Sequence, residues 1–290
     1  MSKTDGSAEE SLARVEHALS LLYKGEADAA KRIFDEVLIT APACARAVCG
    51  RGSALRALGR AQQAIEDYDA ALSIQPDYAR ALFNRGLARF ELGDTDGALA
   101  DLDVAISKGP EPGFYYHRGE CYFRLKRFEE ARNDFTTCIE LDPDAQIWAY
   151  IQRGFSFSEL GLHKEAACDF EAAIQRNPSE ASLYIYAAHA LCCLENYDKA
   201  ISMLDKAIEI KGDDDLYYRR GHALYLNNDF ESAIRDFDKA LKTNCRPEMY
   251  LWRGCAWLRL RDYEAAIADL SDAIALDDSS CEALTWRGDA

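Results

Sequence analysis

The sequence predicts an all-α array of helix–turn–helix repeats, and three observations carry that prediction. The phrase Tyr116-His117-Arg118-Gly119, followed by Phe128-Glu129-Glu130-Ala131-Arg132-Asn133-Asp134-Phe135, returns as Tyr217-Tyr218-Arg219-Arg220-Gly221 followed by Phe230-Glu231-Ser232-Ala233-Ile234-Arg235-Asp236-Phe237. Its period is about 34 residues, the length of a helical hairpin that buries its apolar face only by stacking on its neighbours. Apolar residues recur three and four apart and never alternate over a strand-length stretch, as amphipathic helices require.

With the Gly of each Arg-Gly set at position 8, repeats begin at Ser11, Ala45, Ala79, Pro112, Ile147, Ala181, Asp214 and Pro247. A ninth begins at Cys281 and stops at Ala290. Residues 1–10 are therefore expected as a disordered lead, 11–280 as eight repeats and 281–290 as a truncated first helix. Position 8 holds Ala18, Gly52, Gly86, Gly119, Gly154, Ala188, Gly221 and Gly254, and position 20 is always alanine, from Ala30 to Ala266. Position 24 is large and apolar: Phe34, Tyr68, Leu102, Phe135, Phe170, Leu204, Phe237 and Leu270. Small residues at 8 and 20 let two helices cross closely while position 24 fills the space beside them. A mid-helix glycine costs about 1 kcal/mol relative to alanine, so its recurrence implies a packing reason. Pro42, Pro76, Pro110, Pro143 and Pro178 at position 32 end the second helix.

Position 7 is arginine (Arg51, Arg85, Arg118, Arg153, Arg220, Arg253) in the same six repeats whose position 23 is aspartate (Asp67, Asp101, Asp134, Asp169, Asp236, Asp269). The two repeats without the arginine, with His17 and Ala187, also lack the aspartate and have Ile33 and Met203. This internal covariation predicts an Arg–Asp contact between the two helices of one repeat, with a structural role. Repeat 6 loses Arg-Gly, the aspartate and the proline together, and is expected to soften or change the twist locally.

Composition bounds the function. The 290 residues are 49% apolar and 29% charged, typical of a folded chain, and the net charge of −16 argues against a nucleic-acid partner. No secretory signal and no run of 18 apolar residues is present, so no membrane insertion is expected. The ten cysteines lack CxxC spacing and read as small buried thiols of a reducing cytoplasm. No phosphate loop, zinc-protease, serine-hydrolase or calcium-loop motif occurs, so the chain is read as non-catalytic and without cofactor. His189, His222 and Cys255 share position 9, with Cys192 and Cys193 one turn from His189. Neighbouring helix axes lie about 8–10 Å apart and zinc needs ligands at about 2.0–2.3 Å, so these read as groove-lining residues rather than a metal site.

The repeated Arg-Gly, the invariant alanine at position 20, the large position 24 and the closing proline resemble the tetratricopeptide repeat family over residues 11–280. The resemblance implies a right-handed superhelical solenoid of about sixteen antiparallel helices. It also implies that the first helices line a concave groove binding extended peptides or helices, with positions 2, 5, 9 and 12 facing it. In this chain those positions give Arg46, Arg56, Arg80, Phe83, Phe90, Tyr116, Phe123, Trp148, Ile151, Phe155, Tyr218, His222, Tyr225 and Leu251, with Asn84 at position 6 as a further candidate. Aromatic and arginine anchors of this kind are typical of protein interfaces. The subtype that clamps acidic chaperone tails is absent: Asn84 fits, but Cys49, Ser53, Gly113 and His117 occupy the other places. The expected partner is a protein or peptide, and the expected function is a scaffold or adaptor. Two alternatives stand beside it: a co-chaperone gripping apolar client segments, and the targeting region of a larger enzyme. The second follows from the stop at Ala290, which leaves Leu284 and Trp286 on an uncovered face. Homo-oligomerisation through that end has no specific signal.

Overall fold

The computed structural model describes residues 3–143, 147–242, 245–277 and 281–289, which contain seventeen helices and no strand. They are α1 (Lys3–Tyr23), α2 (Ala27–Thr40), α3 (Ala45–Ala57), α4 (Ala61–Ile74), α5 (Ala79–Glu91), α6 (Thr95–Lys108), α7 (Pro112–Arg124) and α8 (Phe128–Leu141). After these come α9 (Ile147–Glu159), α10 (His163–Arg176), α11 (Ala181–Cys193), α12 (Tyr197–Ile210), α13 (Asp214–Leu226), α14 (Phe230–Ala240), α15 (Pro247–Leu260), α16 (Tyr263–Leu276) and α17 (Cys281–Asp289). The chain divides into two compact units, 1–152 and 153–290, the boundary falling inside α9. Within each unit, consecutive helices pack as hairpins and each hairpin stacks on the next. From Lys3 onward, the stretch expected to be a disordered lead is instead the opening of α1, because its residues continue the helix that carries Val15 and Ala18 into the core. Met1 and Ser2 lie outside the described residues.

The packing reason for the position-8 glycines is visible atom by atom. A Cβ on Gly52, Gly119 or Gly154 would sit 2.8 Å from a ring carbon of Tyr68, Phe135 or Phe170, the position-24 residue of the same repeat. In repeat 1 position 8 is Ala18, and there the Phe34 ring is seated against Gly50 of the next repeat, where no Cβ could fit. Room for the large residue is thus made either in its own repeat or in the following one.

The six arginines at position 7 each fork onto the aspartate of their own repeat. Nε and Nη2 donate to the two carboxylate oxygens at 2.6–2.9 Å in every case. The aspartates are buried, Asp134 being 5% exposed. The third nitrogen makes a contact the sequence reading omitted. Nη1 of Arg85, Arg118, Arg220 and Arg253 donates to Asp69, Asp103, Asp205 and Asp238 at 2.5–2.7 Å, and that of Arg51 to Asp35 at 3.3 Å. Each of these acids lies on the second helix of the preceding repeat, so one guanidinium ties three helices together. Repeat 6 replaces the pair with Ala187 and Met203, which join an alanine-rich core with Ala188, Leu191 and Leu204. Its helices α11 and α12 have 13 and 14 residues, as do α9 and α10, so no softening shows in the helix lengths.

Every turn between the two helices of a repeat places position 15 in the left-handed region. Gly25, Gly59, Gly93 and Gly161 do so without strain, while Lys126, Glu195, Asn228 and Arg261 adopt φ of 57–65° with a side chain attached. A side chain there costs about 1–2 kcal/mol, partly offset by the greater unfolded-state entropy of glycine. Lys126→Gly, Glu195→Gly and Arg261→Gly are therefore each expected to stabilise the chain by about 0.5–1 kcal/mol in urea denaturation, and Asn228→Gly by less.

Candidate partner-binding clefts

In the first unit clefts open between consecutive first helices, and two of them are large. One, of about 520 Å³ between α3 and α5, is lined by Arg46, Cys49, Ser53, Tyr78, Arg80 and Asn84, with Leu19, Gly50 and Gln75 completing it. Its floor is knitted by hydrogen bonds: Asn84 Nδ2 donates to Ser53 Oγ at 3.2 Å, and Ser53 Oγ to the Cys49 carbonyl at 3.1 Å. Arg46 and Arg80 are exposed and reach across to Glu16 and Glu111 at 2.6 and 2.8 Å. Arg56 makes a similar bridge to Glu91 at 2.6 Å. Such solvent-facing pairs contribute little to stability and are readily exchanged for other anions.

The other cleft, of about 490 Å³, lies between α7 and the start of α9. It is walled by Tyr116, His117 and Glu120 of α7, by Cys138 and Asp142 at the end of α8, and by Trp148 and Ala149. Trp148 is 57% exposed.

In the second unit a more apolar cleft of about 350 Å³ lies between α11 and α13. Ile185, Ala188, His189, Cys192, Cys193 and Leu204 face Tyr218, Arg219, His222 and Leu226 across it. His222 is stacked edge-on against Trp252 with 4.6 Å between ring centroids, and burial lowers its pKa, so it is neutral at pH 7. Cys255, grouped with these residues by repeat position, is buried in a different cluster. Among the described residues, no three His, Cys, Asp or Glu side chains converge at metal-ligand spacing.

The structure separates the remaining groove candidates. Phe83 and Ile151 are 9% and 6% exposed, as is Leu251 at 8%, so these three are core residues and not surface anchors. Phe83 is covered because Phe114 of the next repeat stacks on it at 4.7 Å. Phe90 is half-buried beneath the Arg124 guanidinium, 3.5 Å from its ring centroid. Phe123 packs on Phe128, and Phe155 between Phe170 and Tyr186, all at ring distances of 4.8–5.4 Å. Tyr218 lies under Arg246, and Tyr225 against Trp252 at 5.3 Å. Trp148, Arg46 and Arg80 are thus the candidates most open to solvent.

Residues at positions 6 and 13, namely His117, Arg219, Cys193 and Leu226, also line these clefts. Positions 2, 6, 9 and 13 share a helix face by their spacing, which is the signal that finds them. All ten cysteines are free thiols. Burial pushes Cys49 and Cys138 to about 11 and Cys121 and Cys255 to about 12, so these thiols stay protonated and poorly nucleophilic at neutral pH.

Family models described as TPR repeat or tetratricopeptide repeat match residues 52–93, 80–111, 113–145 and 218–280. The mitochondrial import receptor subunit TOM70 of Homo sapiens is 30% identical over 105 residues, 34% of this chain and 17% of that protein. Dynein axonemal assembly factor 4 of Pongo pygmaeus is 31% identical over 83 residues, 26% of this chain and 20% of that protein. The matched stretch is thus a small part of either relative. Among solved structures, the C-terminal part of a TPR repeat-containing protein from Cytophaga hutchinsonii superposes with a TM-score of 0.69 at 18% identity, covering 81% of this chain and 97% of that one. YrrB, described as a TPR protein with an unusual peptide-binding site, gives 0.58 at 23% identity, covering 67% and 97%. No described helix is long and apolar enough to cross a membrane.

Proposed function

Because the chain belongs to the tetratricopeptide repeat family, we propose that it is a protein-interaction scaffold which holds an extended peptide or a helix of its partner against the first helices of its repeats. One observation carries this reading. Three clefts, two in the first unit and one in the second, open between consecutive first helices and share repeat positions 5, 6 and 9, lined by partly exposed aromatic, arginine and histidine side chains. Buried aromatic anchors and shaped pockets are where interface energy concentrates. The relatives' names, an import receptor subunit and an assembly factor, describe proteins that act on other proteins, which supports the same reading.

The test is site-specific photo-crosslinking. With p-benzoylphenylalanine at position 148 or 189, both exposed on first helices, crosslinks to partner proteins are expected from a lysate of the source cells. With it at position 263 or 267, exposed on α16, a second helix, far fewer are expected. Crosslinking from the second-helix positions alone would place the interface elsewhere.

A further inference from the structure

We propose that the cleft beside Trp148 receives a lysine or arginine side chain of the bound partner segment. This rests on the scaffold reading above and adds the chemistry that one of its clefts selects.

The sign of the cleft comes first. Glu120 and Asp142 line it, and no lysine or arginine does. This is not a mere consequence of a chain carrying −16, because the cleft between α3 and α5 of the same unit has the opposite lining: Arg46 and Arg80, with no carboxylate. The net charge then acts on top of the local one, raising the encounter rate with basic segments.

The walls are aromatic as well as acidic. Trp148 offers an exposed indole face, and Tyr116 forms part of the opposite wall. A cation over such a face gains about 0.5–1 kcal/mol where exposed and about 2 kcal/mol where desolvated, and indole is the best of the rings. Paired with a carboxylate, this combination favours a cation over a neutral side chain of equal size. The volume of about 490 Å³ lies in the range of pockets that enclose a ligand group.

The carboxylate is also held in place before any ligand arrives. Glu120 Oε2 lies 2.7 Å from His117 Nδ1, one turn away on the same helix. The His117 ring is fixed in turn, edge-on to Tyr116 at 5.0 Å and against Phe83 at 5.5 Å. An acceptor fixed this way loses little side-chain freedom on binding. Asp142, exposed at the end of α8, adds a second negative charge at the rim.

The experiment is selection of random decapeptides displayed on phage against the full chain, followed by affinity measurement on synthetic copies of the winners. Peptides carrying lysine or arginine at a fixed position are expected, and replacing that residue by norleucine should weaken binding about tenfold. Trp148→Ala should give a similar loss although it changes no charge, which separates this cleft from general attraction to an acidic protein. Asp142→Asn should flatten the dependence of affinity on sodium chloride. Both substituted residues are exposed, so circular dichroism should show the fold intact. Winners without a fixed basic residue, or winners indifferent to Trp148→Ala, would overturn this inference and leave the scaffold reading standing. Failure to enrich any peptide would count against peptide binding in the groove itself.

Discussion

Arg118→Ala is expected to destabilise the first unit by about 3–5 kcal/mol, the range for breaking a buried ion pair from one side. The arginine supplies both hydrogen bonds that Asp134 receives, at 2.7 Å each, and Asp134 is 5% exposed. Removing the guanidinium strands that carboxylate in the crossing of α7 and α8 and also cuts the tie to Asp103. Deleting both partners should be far milder. Repeat 6 is a natural version of the double change, with Ala187 and Met203 packed in the core where the pair would stand. Arg118→Ala with Asp134→Met should therefore recover most of the loss. The pH dependence gives a second reading. Burial raises the Asp134 pKa even with Arg118 present, and without the arginine it rises further. A carboxyl whose folded pKa lies above its unfolded value favours folding when protonated, so the Arg118→Ala deficit should narrow as pH falls from 7 towards the carboxylate range. A single-variant deficit under 1 kcal/mol in urea denaturation, or one as large in the double variant, would remove the pair from the supports of the fold.

The fold class was legible because its signal is multiplied. One glycine, one alanine and one large apolar residue recur at fixed offsets through the chain, and no single misreading could hide them. The Arg–Asp fork was legible for the same reason, since presence and absence covary between repeats. The second acid on five of the arginines was equally present in the sequence, as Asp35, Asp69, Asp103, Asp205 and Asp238 at position 25 of the preceding repeat. It is seen only when a repeat is compared with its successor rather than with itself. Side-chain exposure is the part that repetition does not encode. Phe83 and Tyr116 both occupy position 5, yet Phe83 is sealed by Phe114 of the next repeat while Tyr116 is left at a cleft wall. What decides is the neighbour's side chain at a variable position. The left-handed turn at position 15 was hidden for a different reason. Glycine marks it in four repeats, but Lys126, Glu195, Asn228 and Arg261 carry the same backbone without the usual residue, under constraint from the helices on either side.

Gly119→Ala and Gly86→Ala make the same chemical change at the same repeat position and are expected to have opposite signs. Each gains about 1 kcal/mol of helix propensity, since both lie inside regular helices. At Gly119 the new Cβ would stand 2.8 Å from Cε1 and 3.0 Å from Cδ1 of Phe135, a ring with no exposed surface. A buried ring has nowhere to retreat, and overpacking of this kind costs about 1–3 kcal/mol, so the net change should be destabilising by up to about 2 kcal/mol. At Gly86 the nearest atoms are the Ala98 carbonyl oxygen and Leu102 Cγ, both at 3.3 Å; the leucine can turn aside, and the backbone oxygen needs to give only by a few tenths of an ångström. There the propensity term wins and the change should be neutral or stabilising. The chain itself holds two ways of accommodating alanine at this position. Repeat 6 sets Ala188 with Leu204 in place of an aromatic ring, and repeat 1 keeps Phe34 but gives it the space at Gly50 of the next repeat. Gly119→Ala should accordingly be rescued by Phe135→Leu, with a favourable coupling measured in a double-mutant cycle. Equal melting shifts for Gly119→Ala and Gly86→Ala, or no coupling to position 135, would mean that the glycines are kept for something other than the ring they face.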